Sequence, residues 1–225
     1  MSRKGKADTR IINDFYTTPL WIIENFLQWA DTNYHMELFR HMPIKILDPC
    51  AGGDFANTMP YPVALKTVLQ DDRLYELTTN DIRPHAPTDH LVDFLSDDIP
   101  YRNNEFDMVI TNPPYLLAMD FIKRGLQVVR KHGYVAYLLR INFFGSDRRK
   151  EWLQANMPEW CVVSSKRPSF CKICPKCKSK YYPTTEICSA LNCQTKLVKG
   201  SDATEYAHFV WKKGYHPEYT KTVVI

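Results

Sequence analysis

The chain has 225 residues, of which 44% are hydrophobic, 13% aromatic and 24% charged. This is enough apolar sequence for one substantial core with a small accessory unit, and too little for two large domains. The net charge is only +4. No apolar run is long enough to span a bilayer and none follows the basic start as a signal peptide would, so a soluble, cytoplasmic protein with no membrane partner is expected.

In chain order, Thr18-Pro19 predicts a helix start, with Thr18 placed to cap and Pro19 at the first helical position. Ile22, Ile23, Phe26, Leu27, Trp29 and Ala30 then give that helix an apolar face at helical spacing. Residues 44–47 predict a strand that runs into Asp48 and the turn Ala51-Gly52-Gly53. Residues 74–79 predict a second strand ending at Asn80-Asp81. Residues 106–110 predict a buried strand, stopped by Asn112-Pro113-Pro114 because consecutive prolines cannot continue a ladder. Ala118, Phe121, Ile122, Leu126 and Val129 predict a helix that Gly133 ends, and residues 134–139 form the next strand. Residues 160–164 and 207–211 are the two final strands, separated by a cysteine-rich stretch. Strand-helix alternation of this kind predicts an α/β fold with a mainly parallel sheet covered on both faces, and ligands at the carboxyl ends of the strands.

Asn112-Pro113-Pro114-Tyr115 therefore sits where such a sheet presents reactive groups. A carboxamide oxygen and a proline-fixed carbonyl can accept both hydrogens of an exocyclic amine, hold it in line with a methyl donor and free its lone pair for attack. Tyr115 offers a ring on which a base can stack. The alternative is a plain turn. On average composition the string arises by chance in such a chain on the order of once in a thousand cases, which favours a site. Its partner is Asp48-Pro49-Cys50-Ala51-Gly52-Gly53, a glycine turn after a strand that lets backbone amides approach a bound ligand closely.

Together these residues resemble the N6-adenine DNA methyltransferases, specifically the small phage-encoded type within the amino-methyltransferases of the class I, seven-stranded Rossmann-like fold. The resemblance runs from Asp14 to about Lys212 and is interrupted by the cysteine-rich insert. It implies S-adenosylmethionine as cofactor, DNA as partner and a bacterial or phage-infected cell as the setting. Asp14 to Pro19 is similar to the family's N-terminal cofactor motif, which would give Tyr16, Thr18 and Pro19 to the cofactor, with Thr-Pro near its methionine part. Asp48, Pro49, Cys50, Ala51 and Gly52 match the main cofactor loop. Asp81 matches the acid that binds the ribose, and Asp93 and Phe94 match the pair that reads the cofactor's adenine. Structurally, Asp81 could instead cap a turn and Asp93 could be an ordinary surface acid. Asn112, Pro113, Pro114 and Tyr115 are the catalytic motif. Phe170, after Arg167-Pro168-Ser169, is similar to the aromatic residue that would sandwich a flipped adenine opposite Tyr115. Phe143 and Phe144 compete for that part, and a plain core role for Phe170 stands beside it. Other planar acceptors fit the same motif: adenine or guanine in RNA, or glutamine in protein. A nucleic-acid-binding module without turnover is the alternative of another class.

Five of the seven cysteines fall between residues 171 and 193. Clustering of this kind in a reducing cytosol points to metal rather than disulfides. Cys174, Cys177, Cys188 and Cys193 read as two knuckles of a structural zinc site, with Cys171 as an alternate ligand. Four thiolates leave no open coordination position, so zinc there takes no part in methyl transfer. Residues 1–170 and 200–225 then form the methyltransferase domain and residues 171–199 a zinc-ribbon insert. Residues 166–199 carry eight basic side chains against one acid, Glu186, leaving −3 on the rest of the chain. That charge, with Lys172, Lys176, Lys178 and Lys180 at its centre, is suited to DNA. A staple for a long loop, or a solvated basic loop, is the plainer reading.

Overall fold

Short apolar runs rich in Ile, Val, Leu and Met build the centre of the sheet, as β-branched and aliphatic side chains buried on both faces require. The computed structural model describes residues 17–32, 36, 43–54, 58–181, 185–190, 192–200 and 204–225. Strand β1 (Ile44–Asp48) lies between β2 (Tyr75–Thr79) and β3 (Phe106–Thr111), parallel to both. Beyond β3 come β4 (Val129–Arg140), then β6 (Tyr206–Lys212), β5 (Trp160–Val163) and β7 (Lys221–Val224). Six of the seven strands run parallel, and β6 alone runs against its neighbours β4 and β5.

Alternate residues feed two cores. Ile44, Ile46, Met108, Ile110, Tyr134, Ala136 and Leu138 meet α1 (Leu20–Asp31) and α2 (Pro60–Leu69) on one face. Leu47, Val109, Val135, Tyr137 and Leu139 meet α3 (Ala118–Val128) and α4 (Asp147–Ala155) on the other. The sheet is thus the class I methyltransferase architecture with helices on both faces.

Two details determine where the site forms. The chain leaves β1 toward β2 and later returns to β1's other side as β3, so the crevice beyond β1 and β3 is the topological switch point at which open α/β sheets bind ligands. Because β6 is reversed, its first residue, Tyr206, pairs with Arg140 at the carboxyl end of β4. The connection from β5 to β6, which carries the clustered cysteines, therefore leaves and re-enters the sheet on the crevice side.

Three sequence expectations are corrected. Thr18 does not cap α1: Pro19 takes the cap position and no side chain bonds the helix end, because the Thr18 hydroxyl is engaged elsewhere. Gly133 does not end a helix. α3 stops at Val128, Val129 is already extended, and Gly133 lies inside β4, where an added Cβ would sit 2.8 Å from the Asp107 carbonyl. The strand pair after residue 160 is not the end of the sheet either, since β7 adds an edge beside β5. Helices α2 and α4 were not marked by the sequence patterns. No helix among the described residues is long and apolar enough to cross a membrane.

Residues 171–200 form a separate three-stranded sheet of two-residue strands, Lys172–Ile173 pairing with Lys180–Tyr181 and with Val198–Lys199. Its described core is Cys174, Cys188 and Leu197.

Candidate active site

The crevice is built by β1 and β3 handing over to two loops that are tied together. At the end of β1, Asp48 is fully buried. Its Oδ1 accepts the Thr111 hydroxyl at 2.6 Å and the Cys50 N–H at 3.2 Å, while its Oδ2 is buried without a partner. Burial pushes the Asp48 carboxyl up to about 7, and the bonds from Thr111 and Cys50 oppose that rise. Gly52 and Gly53 follow with φ of 70° and 77°, a left-handed conformation that leaves the turn's backbone bare. Burial also raises the Cys50 thiol, reinforced by the charges of Asp48, Asp81 and Asp93, so the three acids converge on this loop.

Asp81 receives the Gly52 N–H at 3.0 Å on one oxygen and the Arg83 N–H and Nε at 2.9 and 3.0 Å on the other. Arg83 also reaches the Gly53 carbonyl at 3.0 Å. Arg83 Nη2 also donates at 3.2 Å to the Asp81 oxygen that takes the Gly52 N–H, so Asp81 braces the glycine turn with all of its lone-pair directions in use. Asp93 is exposed and accepts the Leu95 N–H at 2.9 Å; Phe94 is buried against Phe121. Asn80, which the sequence offered only as a strand end, holds these pieces together. Its Nδ2 donates to the Pro49 and Val92 carbonyls, and its Oδ1 accepts the Val92 N–H at 3.1 Å.

At the end of β3, Asn112 is half-buried. Its Nδ2 donates to the Thr18 hydroxyl at 3.0 Å, while its Oδ1 is buried with no partner. Pro113 is buried. The carbonyl of the exposed Pro114 accepts the Leu117 N–H at 2.9 Å, closing a turn of 3-10 helix over Tyr115–Leu117. Burial holds the Tyr115 phenol well above its usual range, while a bond from Asn112 acts in the opposite direction. The Arg140 guanidinium lies over the Tyr115 ring at 5.3 Å and its Nε donates to the Tyr206 hydroxyl at 3.2 Å. Tyr206 meets Tyr115 at 5.9 Å and Phe170 at 5.0 Å between centroids.

Phe170 is therefore a buried ring packed on Tyr206, one ring removed from Tyr115. Phe143 is buried against Phe209 and Trp211, and Phe144 packs on Phe209. Pro19 sits at the entrance of α1 beside Thr18. Tyr16, with Asp14 and Phe15, lies outside the described residues. Thr111, Asn80, Arg83, Arg140 and Tyr206 are site residues that motif reading passed over. Of these, Thr111 and Arg140 end apolar strands and Asn80 directly follows β2, a signal that would have found those three.

The sulfurs of Cys174, Cys177, Cys188 and Cys193 all lie within 4.8 Å of one another, and Cys171 stands outside the group. Cys174 and Cys193 approach to 3.5 Å, as do Cys177 and Cys188. Tetrahedral zinc with bonds of about 2.3 Å needs sulfurs roughly 3.8 Å apart, so the set fits. The hydroxyls of Tyr181, Thr195 and Ser179 lie 3.0 to 3.3 Å from three of the sulfurs, the kind of outer partners that thiolate ligands keep. At the neck, the Ser169 hydroxyl bonds the carbonyls of Cys171 and Gly200. Lys172 is paired with Glu186, whereas Lys176 and Lys178 are exposed. The side chain of Lys180 lies outside the described residues.

No protein-family model matches the chain, and no curated protein matches it in sequence. Solved structures do match in fold. A Listeria monocytogenes protein named for the class I S-adenosylmethionine-dependent methyltransferases superposes with a TM-score of 0.56 at 14% identity, over 93% of this chain and 65% of its own. An S-adenosylmethionine-dependent O-methyltransferase of Thermotoga maritima is similar at a TM-score of 0.48 and 11% identity, over 87% of this chain and 66% of its own. The chain thus spans just under two thirds of the length of either.

Proposed function

We propose that the chain transfers a methyl group from S-adenosylmethionine to the exocyclic N6 amino group of an adenine in DNA. One observation carries this reading: the Asn112 carboxamide has its nitrogen satisfied and its oxygen buried without a donor. A buried orphan acceptor costs about 1–3 kcal/mol, which a ligand bringing an N–H would offset.

The residues present fit the cofactor. The bare Gly52-Gly53 turn suits close backbone approach, and the unpartnered Asp48 Oδ2 is an acceptor for an ammonium group. Asp81 would hold its ribose by exchanging a bond from Arg83 for one from a ribose hydroxyl, Asp93 and Phe94 would hold its base, and Pro19, Pro49, Cys50 and Ala51 would line its path. When bound, the cofactor supplies a methyl group on a positively charged sulfur, already activated toward an amine. Asn112 Oδ1 accepts one hydrogen of the amine. The Pro113 carbonyl accepts the other, since that of Pro114 is taken by Leu117. Both contacts draw the nitrogen toward a tetrahedral shape and aim its lone pair. The Tyr115 ring would carry the base on the face away from the Arg140 guanidinium. No side chain need remove a proton before the methyl group moves.

The basic insert on the crevice side supports a polyanion as substrate carrier. Its four sulfurs fit a structural zinc ion, which would hold the ribbon in shape and take no part in the reaction. The test is incubation with radiolabelled methyl donor and unmethylated DNA, RNA or protein, then digestion of the DNA to nucleosides and mass detection of N6-methyladenine. Label entering only RNA or only protein glutamine would overturn the substrate. Absence of S-adenosylmethionine binding by calorimetry would overturn the enzyme and leave a nucleic-acid-binding module.

A further inference from the structure

We propose that Thr18 is the positioning residue that anchors the Asn112 carboxamide with its oxygen toward the crevice, rather than a contact for the cofactor. The proposal rests on the reading of Asn112 given above, and it reassigns a residue that family resemblance would give to the cofactor's methionine part.

A carboxamide can turn over within nearly the same volume, exchanging an acceptor for a donor pair. Only with Oδ1 toward the crevice can Asn112 accept a hydrogen from an amine, so something must hold the other face. The Thr18 hydroxyl, 3.0 Å from Nδ2, anchors that face; because a hydroxyl can also donate, the lack of any acceptor beside Oδ1 among the described residues is what decides which way round the anchored group stands. Thr18 is 2% exposed. Its side chain makes no bond to the end of α1, the role that a threonine before a helix normally takes.

The Thr18 oxygen therefore stands on the nitrogen side of Asn112 and no partner stands on the oxygen side. Turned over, the group would bury two N–H donors with nothing to accept them. As it stands, it leaves one oxygen short, and buried orphan N–H groups are much the rarer of the two. The resting protein thereby presents an acceptor where the amine has to dock. Thr18 is rigidly placed for this work, because Pro19 follows it with φ of −60° and the Ile22 N–H bonds the Pro19 carbonyl at 3.2 Å.

The experiment compares Thr18→Val, Thr18→Ser and Asn112→Ala, using unmethylated genomic DNA and labelled S-adenosylmethionine. Thr18→Val keeps the shape and removes the hydroxyl. It is expected to lower kcat by about 10- to 100-fold, while cofactor affinity by calorimetry changes less than about threefold. Thr18→Ser restores kcat to within about threefold of wild type. A second readout needs no substrate: hydrogen exchange of the Asn112 side-chain NH2 by NMR is slow in the wild type and in Thr18→Ser, and fast in Thr18→Val. Thr18→Ala replaces the valine variant should that one fail to fold. Unchanged kcat and unchanged exchange in Thr18→Val overturn the proposal. So does loss of cofactor affinity in step with kcat, which returns Thr18 to the cofactor. Asn112→Ala separates the two levels: full turnover in that variant overturns the reading of Asn112 itself.

Discussion

The crevice and the ribbon each hold a handful of polar side chains still, by opposite means. At the crevice, Asp48, Asn80 and Thr111 are buried at the ends of strands whose two faces are covered by helices, Thr111 bonding Asp48 and Asn80 bonding the Pro49 carbonyl. In the ribbon the strands are two residues long and the described core is two sulfurs and one leucine. Such strands do not hold themselves together. Their geometry depends on whatever the four sulfurs bind. Under the proposed function, chemistry would be seated on the helix-covered sheet, and nucleic-acid contact on the part whose small core calls for an ion.

The sharpest way to break this comparison is Asn112→Ala. It should reduce methyl transfer by more than about 100-fold, with cofactor binding retained, as tritium transfer and calorimetry would show. Equal loss of both would make Asn112 structural. Next is the metal. Cys174→Ser should abolish zinc uptake and leave the ribbon's amides unprotected in hydrogen exchange, while the seven-stranded sheet keeps its protection. Structural zinc in small domains contributes on the order of 10 kcal/mol to folding, so a ribbon that stays protected without it would end the distinction.

Charge gives a smaller effect. Lys176→Ala with Lys178→Ala should flatten the salt dependence of DNA binding by about 0.9 for each phosphate that is no longer neutralised. Lys172→Ala should change it less, because Lys172 already pairs with Glu186.

The smallest effect is on stability, and it tests the sheet alone. His208, on β6, stacks on Phe26 at 4.1 Å and bonds the Tyr61 hydroxyl at 3.3 Å. Burial lowers its pKa from 6.5 to about 3. The unfolded chain then binds a proton that the folded one refuses. His208 therefore favours folding fully above pH 6.5 and progressively less as pH falls toward 3. Asp48 acts in the reverse sense: raised from 3.8 to about 7, it weakens the fold as pH climbs between those values. Denaturation midpoints across this range should flatten at the acid side in His208→Phe and at the neutral side in Asp48→Asn.

Much of this was legible in the sequence. Strand cores such as Phe106–Thr111 are mostly apolar, with Met108, Val109 and Ile110 consecutive, and the motif at 112–115 announces itself because two prolines can only stand where a strand stops. The cysteine spacing gave the four sulfurs that gather. What stayed hidden has a common cause: it depends on residues far apart in sequence. Nothing near Thr18 says that its hydroxyl will meet a side chain 94 positions away. Helix α4 is mostly polar, burying only Leu153, so its apolar face is too narrow to register. Strand β7 has no period of its own and is defined by the β5 edge that accepts it.

The reversal of one strand gives this molecule a detachable tool. Since β5 ends and β6 begins on the same side, residues 171–200 within the connection are a cassette clamped at a narrow throat by Ser169, Cys171 and Gly200. A graft spliced at that throat would inherit the address of the ribbon, beside Tyr206, without disturbing the strands that hold Asn112. Recognition could then be exchanged while the chemistry stays as it was.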